Sequence, residues 1–389
     1  MKLQGKRKAA LAVLAVVVAS IWGSVVVRGQ AAPAAADKPL LAEQVFKNIQ
    51  VLRGLPVTEF MDTMGFLAAS LDANCTTCHG EAAVASTNWD GYAKDVVPAK
   101  QTARMMIVMV DAINRQYFGG KQVVTCYSCH RFGKVPKVIP ELAMQYSNAP
   151  DTDPDEIVEQ AKGQPTPDQL LADYFKAIGG AAKLQPITSM VAKGTWQGYE
   201  DTEQHDLQIY FKAPNQRAWI VNNHGALTTN TFDGKNGWTA APFTDVPITL
   251  VTLTGSDLDN ARVDAQLTLP WRVKESLTDL RVGRQISVGD KDLNILQGYS
   301  ADKSPVKLYF DDDTKLLVRI VRYTRTKLGR QPTQFDFSDY RDVNGIKMPF
   351  YWVTTWVNGR TKTQLTQVQF NAPIEASRFA KPAAPPQGN

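Results

Sequence analysis

The sequence has few of the residues that build disulfide frameworks or histidine-rich sites. Its 389 residues include only four cysteines and four histidines. A small scaffold held together by dense disulfides is therefore excluded, and the length indicates two or three domains. Charged residues make up 21% of the chain and hydrophobic residues 44%, as in an ordinary globular protein. This composition also excludes wholesale disorder.

The body of the chain lacks an excess of positive charge. The formal net charge is +5, but five basic residues precede the first acidic residue, Asp37, and without them the formal charge is zero. These five residues are Lys2, Lys6, Arg7, Lys8 and Arg28. Proteins bind nucleic acid largely through positive charge. The sequence therefore predicts no nucleic-acid partner.

A single long apolar run lies near the N-terminus. Residues 9–27 are uncharged and follow the basic cluster, which is typical of a secretion signal or a membrane anchor. The run is long for a signal core and just long enough to span a bilayer, while residues 34–36, all alanine, resemble a cleavage site. Residues 1–36 are assigned as a signal peptide or an N-terminal membrane anchor. Both alternatives predict a periplasmic or otherwise extracytoplasmic protein, attached in the second case to the inner membrane.

All four cysteines lie in two C-x-x-C-H motifs, Cys75–His79 and Cys126–His130. A redox dithiol needs no histidine after it, and both motifs together supply too many ligands for one tetrahedral zinc ion. The order of residues matches c-type haem attachment, in which two thiols form thioethers and the next histidine binds the iron. The sequence therefore predicts two covalently bound haem c groups. Their thioether residues are Cys75, Cys78, Cys126 and Cys129, and their proximal iron ligands are His79 and His130.

Methionines precede each motif and are candidates for the other axial position of each iron. They are Met61 and Met64 before the first motif, and Met105, Met106 and Met109 before the second. A methionine ligand raises the potential of a cytochrome c relative to a second histidine. Spacing alone leaves each methionine open as either an axial ligand or an apolar core residue.

Two segments resemble the haem-binding module of the photosynthetic reaction-centre cytochrome c subunit family. They read NIQVLRGLPVTEFMDTMGFLAASLDANCTTCHG and KQTARMMIVMVDAINRQYFGGKQVVTCYSCHRFG, and the resemblance covers about residues 41–140. In that family a helix before each motif supplies the axial methionine. The resemblance implies Met64 and Met106 as the distal iron ligands, with Met61, Met105 and Met109 as alternatives. Tetrahaem members carry four motifs, whereas this chain carries two.

The pattern after residue 168 alternates as in β-strands. Asn344-Gly345 and Asn358-Gly359 are typical hairpin turns, and one helix is expected from Ser256, as its N-cap, to residue 280, with a kink at Pro270. This half resembles the outer-membrane lipoprotein carrier fold. We predict an α+β multidomain protein, with a helical dihaem cytochrome c module followed by an antiparallel β half-barrel domain that has one or two helices. The expected boundaries are 37–146 for the haem domain, 147–168 for an acidic, proline-rich linker, 169–380 for the β domain and 381–389 for a proline-rich tail.

The β-rich half carries no recognisable catalytic group. His205 and His224 are interpreted as surface or turn histidines. Six tryptophans are candidates either for core packing or for lining a lipid or quinone cavity; they are Trp196, Trp219, Trp238, Trp271, Trp352 and Trp356.

The favoured function is electron transfer between a soluble donor and a membrane-bound acceptor, with a reaction centre among the candidate acceptors, and not catalysis. One alternative is a dihaem peroxidase, which requires an open iron site. Another is a lipid- or lipoprotein-binding β domain coupled to a redox-sensing haem module.

Overall fold

The computed structural model describes residues 38–81, 89–140, 142, 158–199, 201–242 and 246–386. The N-terminal segment 1–36, assigned above as a signal or anchor, lies outside the described residues, and so do residues 147–157 of the expected linker and residues 387–389 of the tail. Among the residues that are described, no helix has both the length and the apolar character needed to cross a membrane.

The first part of the chain is helical. Its helices are α1 Ala42–Val45, α2 Val57–Leu71, α3 Cys75–His79, α4 Trp89–Ala93, α5 Pro98–Phe118 and α6 Cys126–His130. Helix α5 has a proline at its first position, where no intrahelical N–H is needed, and ends at Gly119 with φ of 60°. The two long helices, α2 and α5, each precede one of the one-turn helices formed by a C-x-x-C-H motif.

The second part is dominated by strands. Its helices are α7 Pro167–Ala177, α8 Ala181–Leu184, α9 Gly255–Gln266 and α10 Val273–Ser276, with 3₁₀ turns at Pro270–Arg272 and Ala376–Phe379. The strands are β1 Ser189–Gln197, β2 His205–Lys212, β3 Gln216–Asn223, β4 Ala226–Phe232, β5 Gly237–Ala240, β6 Leu250–Thr252, β7 Thr278–Val282, β8 Ile286–Val288, β9 Lys291–Tyr299, β10 Pro305–Asp311, β11 Leu317–Arg325, β12 Arg330–Val343, β13 Ile346–Trp356 and β14 Gly359–Phe370.

Within the described part of the chain, these strands form one antiparallel sheet. Its order is β6-β5-β4-β3-β2-β1-β14-β13-β12-β11-β10-β9-β7, and β8 pairs with β9. Asn344 and Gly345, with φ of 56° and 80°, connect β12 to β13 in the conformation that Asn-Gly turns favour. The α+β class with a large antiparallel sheet in the C-terminal part, as predicted from the strand pattern, is therefore confirmed.

The main hydrophobic core joins the sheet to helices α7 to α10. Leu171 and Ile178 of the α7 segment, Phe211 of β2 and Leu308 of β10 are at most 1% exposed within this cluster. Four of the six tryptophans pack against it and are partly buried: Trp196, Trp219, Trp271 and Trp352. These contacts favour core packing for those four residues over a ligand-lining role.

The expected long helix from Ser256 to residue 280 is wrong in its start and its length. Helix α9 has Thr254 as its N-cap and ends at Gln266, and Pro270 starts a separate 3₁₀ turn. The Ser256 hydroxyl accepts from the Arg325 backbone N–H at 3.0 Å instead of capping the helix. A tertiary hydrogen bond to β11 therefore replaces the local cap, and Pro270 prevents the helix from continuing.

The turn between β11 and β12 joins the sheet to the helical part. Leu328 in this turn is 1% exposed and belongs to a small core cluster whose other buried members are Leu52, Phe66, Ile107 and Cys126. Gln331 Nε2 donates to Asp62 Oδ1 of α2 at 2.9 Å. Burial, reinforced by the neighbouring Asp257 carboxylate, raises the pKa of Asp62 to about 8. The helical part and the sheet thus share apolar and polar contacts.

Alanine substitutions at two glycines of this junction should change the free energy of unfolding in opposite directions. A Cβ at Gly329 would lie 2.1 Å from Phe66 Cζ, whereas a Cβ at Gly65 of α2 would meet nothing closer than 3.7 Å. We expect Gly329→Ala to lower the free energy of unfolding by about 1–3 kcal/mol through overpacking. Gly65→Ala should raise it by up to about 1 kcal/mol, because alanine is the better helix former. Urea unfolding of both variants measures this, and equal effects would contradict the close approach of Phe66 to the turn.

Candidate haem-attachment sites

The two C-x-x-C-H motifs adopt the same local structure. Each forms a one-turn helix whose N-cap residue and third helical residue bond reciprocally. In the first motif the Thr77 N–H donates to Asn74 Oδ1 at 3.1 Å, and in the second the Ser128 N–H donates to Thr125 Oγ1 at 3.3 Å. Residues three and four positions apart share a helix face. The caps therefore fix both cysteines and the following histidine of each motif on one side of a short helix.

Each motif histidine is held by a backbone carbonyl. His79 Nδ1 lies 2.8 Å from the Tyr92 carbonyl oxygen, and His130 Nδ1 lies 2.9 Å from that of Gly133. A carbonyl only accepts, so Nδ1 carries the proton in both rings, and in the neutral ring Nε2 keeps its lone pair. Burial also lowers the pKa of His79, which favours the neutral form. In both rings Nε2 is therefore the nitrogen available to bind a metal ion.

All four motif cysteines are free thiols. Burial raises the pKa of Cys78 and brings that of Cys126 to about 11. Two thiols with an adjacent imidazole whose Nε2 is available fit haem c at each motif.

Each long helix packs against the motif that it does not directly precede in the chain. Helix α2, which carries Met64, contacts α6 of the second motif, and α5, which carries Met106, contacts α3 of the first. Met64 is partly buried against the cluster that contains Cys126. Met106 is also partly buried, whereas the alternatives Met105 and Met109 are 61% and 43% exposed. Packing of the long helices therefore links the two motifs. Met64 and Met106 stay predictions as distal iron ligands.

A buried lysine supports the loop that holds His79, and sequence reasoning missed it. Lys100 Nζ donates to the carbonyl oxygens of Tyr92, Ala93 and Lys94 at 2.8, 3.1 and 2.9 Å. Its ion pair with Asp95 measures 3.1 Å. Lys100 and His79 therefore share the Tyr92 carbonyl as an acceptor. No spacing signal in the sequence identifies this lysine, because its hydrogen bonds depend on how the chain turns between α4 and α5.

Replacing Lys100 should change the redox potential of the haem on α3. Without the ammonium group the Tyr92 carbonyl accepts more strongly from His79, which makes that ligand more electron-rich and favours ferric iron. We expect Lys100→Met to lower this potential by roughly 60 mV, the one-electron equivalent of a tenfold change. Lys94→Met removes an exposed charge from the same loop but no donor to Tyr92, and serves as the control. Redox titration of both variants measures the shift, and equal shifts would contradict the role of the shared carbonyl.

The two histidines of the sheet differ from each other. His224, with φ of 49°, lies in the turn between β3 and β4, as expected. The surface assignment of His205 is wrong, because this residue is 5% exposed at the start of β2. Its Nε2 lies 2.7 Å from Asp201 Oδ2, so a hydrogen-bond partner satisfies it inside the fold.

A pocket of about 520 Å³ lies between the β1–β2 and β13–β14 connections. Apolar and charged side chains both line it, among them Tyr199, Val357, Asp201, Arg360 and Lys362.

Comparison with known proteins supports the resemblance of the haem-binding part. Residues 16–172 match the family model described as the photosynthetic reaction centre cytochrome C subunit. The photosynthetic reaction center cytochrome c subunit of Thermochromatium tepidum is 36% identical over 109 residues, which is 27% of this chain and 25% of that protein. The corresponding subunit of Rubrivivax gelatinosus is 34% identical over 113 residues, 28% of each chain. The resemblance inferred from the two motif segments is confirmed, and the chain spans about a quarter of the length of these relatives.

Solved structures resemble the other part of the chain. A LolA superfamily protein from Nitrosomonas europaea has a TM-score of 0.40 at 13% identity and covers 56% of this chain and 99% of its own. A putative outer membrane lipoprotein-sorting protein domain from Vibrio parahaemolyticus has a TM-score of 0.38 at 10% identity, with coverage of 55% and 95%.

Proposed function

We propose that this chain is an extracytoplasmic electron-transfer protein that carries two haem c groups, one on α3 and one on α6. The observation that carries the proposal is the repeated site: two C-x-x-C-H helices with the same type of cap and the same Nδ1-to-carbonyl bond. Helix α2 packs against the second motif and α5 against the first, so the same helices link the two sites. The similarity of residues 16–172 to reaction-centre cytochrome c subunits supports the same function.

The protein side chains hold and insulate the redox groups in this proposal. When bound, each haem supplies an iron that takes up and releases one electron. The four motif cysteines would anchor the porphyrins, and His79 and His130 would bind the irons through Nε2. Met64 and Met106 would supply thioether sulfurs as the further iron ligands. Phe66 and Ile107, 7% and 3% exposed, belong to the same buried apolar cluster as Cys126.

The proposed reaction moves one electron and no proton. A soluble donor is oxidised by one electron, and the membrane-bound acceptor is reduced by one electron. The histidine and methionine side chains would stay bound in both oxidation states, so the transfer would require no exchange of ligands. A reaction centre is one candidate acceptor, because the relatives bear that name. The apolar run at residues 9–27 supports a location outside the cytoplasm, either released or attached to the inner membrane.

Ligand binding to the reduced protein distinguishes this function from a peroxidase. We expect the spectrum of the reduced full-length holoprotein to stay unchanged on addition of carbon monoxide, because neither iron has an open position. The protein should also leave hydrogen peroxide unreduced when an electron donor is present. A carbon monoxide adduct together with donor-dependent peroxide consumption would contradict electron transfer as the function and favour the enzyme.

A further inference from the structure

Three potential metal ligands meet on the sheet, away from the haem motifs. Glu203 precedes β2, His205 begins it, and His224 lies in the turn between β3 and β4. One ligand atom from each lies within 4.8 Å of the other two. The two imidazole rings are 5.9 Å apart at nearly right angles, and His224 Nε2 lies 2.8 Å from Glu203 Oε2.

A fourth residue orients the buried histidine. Asp201 Oδ2 lies 2.7 Å from His205 Nε2, and the side chain of His205 is only 4% exposed. Metal-bound histidines usually donate their second ring N–H to a carboxylate, which fixes the tautomer and strengthens the ligand nitrogen. If Asp201 holds Nε2, the Nδ1 lone pair of His205 is left for a cation. With a cation bound at Nδ1, Asp201 and His205 would form a carboxylate–histidine–metal triad.

The turn that carries His224 does not need a histidine for its own geometry. His224 and Gly225 have φ of 49° and 91°, so the two-residue connection is of the type I′ class, whose preferred first residue is asparagine. The ring of His224 is 76% exposed, so it contributes little to packing. A ligand role accounts for both its identity and its proximity to Glu203.

We propose that Glu203, His205 and His224 bind a divalent transition-metal ion of the Zn²⁺ type, with solvent at the fourth position. Two imidazoles and one carboxylate are a donor set that zinc favours, and three protein ligands plus water complete a tetrahedron. Bonds of about 2.0–2.1 Å place tetrahedral ligand atoms about 3.3 Å apart. Glu203 and His224 are exposed and reach this spacing by side-chain rotation, while buried His205 stays fixed.

Titration of the intact protein with zinc chloride tests the proposal. Untagged, full-length holoprotein should bind one Zn²⁺ by calorimetry with a Kd on the order of 1 µM or tighter. X-ray absorption at the zinc edge should show two imidazole nitrogens among ligands at about 2.0–2.1 Å. A Kd weaker than about 1 mM, or sulfur in the zinc coordination sphere, would overturn the proposal.

Variants at the exposed ligands separate binding from folding. His224→Asn gives the preferred Asn-Gly turn, so the hairpin should fold at least as well, yet we expect its zinc affinity to fall at least roughly 100-fold. Glu203→Gln should weaken zinc binding similarly.

Asp201→Asn should weaken zinc binding roughly 10- to 100-fold through His205. Asp206→Asn removes a neighbouring exposed carboxylate outside the cluster and should leave the affinity within about twofold. Wild-type affinity in both His224→Asn and Glu203→Gln would overturn the site.

Discussion

Replacing Met64 with histidine should lower the potential of one haem by on the order of 0.1 V or more, with both haems still covalently bound. Methionine ligation favours ferrous iron relative to bis-histidine ligation, and axial ligands tune haem potentials over a wide range. The other haem should keep its potential within measurement error. Redox titration with optical detection resolves the two haems.

The chain offers matched controls for this experiment. Met61→His places the same residue one turn earlier on α2, and Met105→His places it next to Met106 on α5, where the side chain is 61% exposed. We expect neither control to change a potential, whereas Met106→His should lower that of the haem that Met64→His leaves unchanged. A larger shift in Met61→His than in Met64→His would place the ligand at Met61.

Removing the thiols of one motif should remove one haem, with different consequences for the fold. We expect Cys75→Ser with Cys78→Ser, and Cys126→Ser with Cys129→Ser, each to leave a single covalent haem, because a thioether requires a cysteine. Cys126 is 6% exposed within the cluster that joins the helices to the sheet, whereas Cys75 is exposed. A serine hydroxyl buried there without a partner costs about 1–3 kcal/mol.

Thermal unfolding of the two double variants provides the comparison. The second-motif variant should unfold at a lower temperature than the first-motif variant, since only it buries a new hydroxyl at the junction. Retention of two covalent haems in either variant would contradict haem attachment at that motif. Equal melting temperatures would contradict the structural role of Cys126.

The haem motifs were recognisable from the sequence because their chemistry is local. Two cysteines and a histidine within five residues specify the attachment pattern without any knowledge of the fold. The caps that shape α3 and α6 also had a sequence signal, a hydroxyl or amide residue before the first cysteine and a hydroxyl residue three positions later. The end of α5 at Gly119 was predictable for the same local reason.

Features that depend on distant contacts were not predictable from the sequence. Lys100 donates to carbonyl groups at the end of α4, and Ser256 exchanges its expected cap for a bond to Arg325 of β11. His205 carries no sequence sign of burial, because its neighbour His224 is brought close to it only by the pairing of β2 with β3. Gly329 is likewise explained only by the ring of Phe66.

The order of residues along the chain does not determine which methionine binds which haem iron. The resemblance assigns Met64 to the first haem and Met106 to the second, and both side chains are partly buried. The structure packs α2 against α6 and α5 against α3, an arrangement that order along the chain does not reveal. The potentials of the histidine variants, assigned to each haem with the single-motif proteins, determine the pairing.

The haem content of the intact chain tests the central claim most directly. A pyridine haemochrome assay on purified protein, expressed with cytochrome c maturation machinery and normalised to protein concentration, should give two haems per chain. Mass spectrometry of the denatured protein should show the added mass of both. A stoichiometry of one or zero would contradict the account.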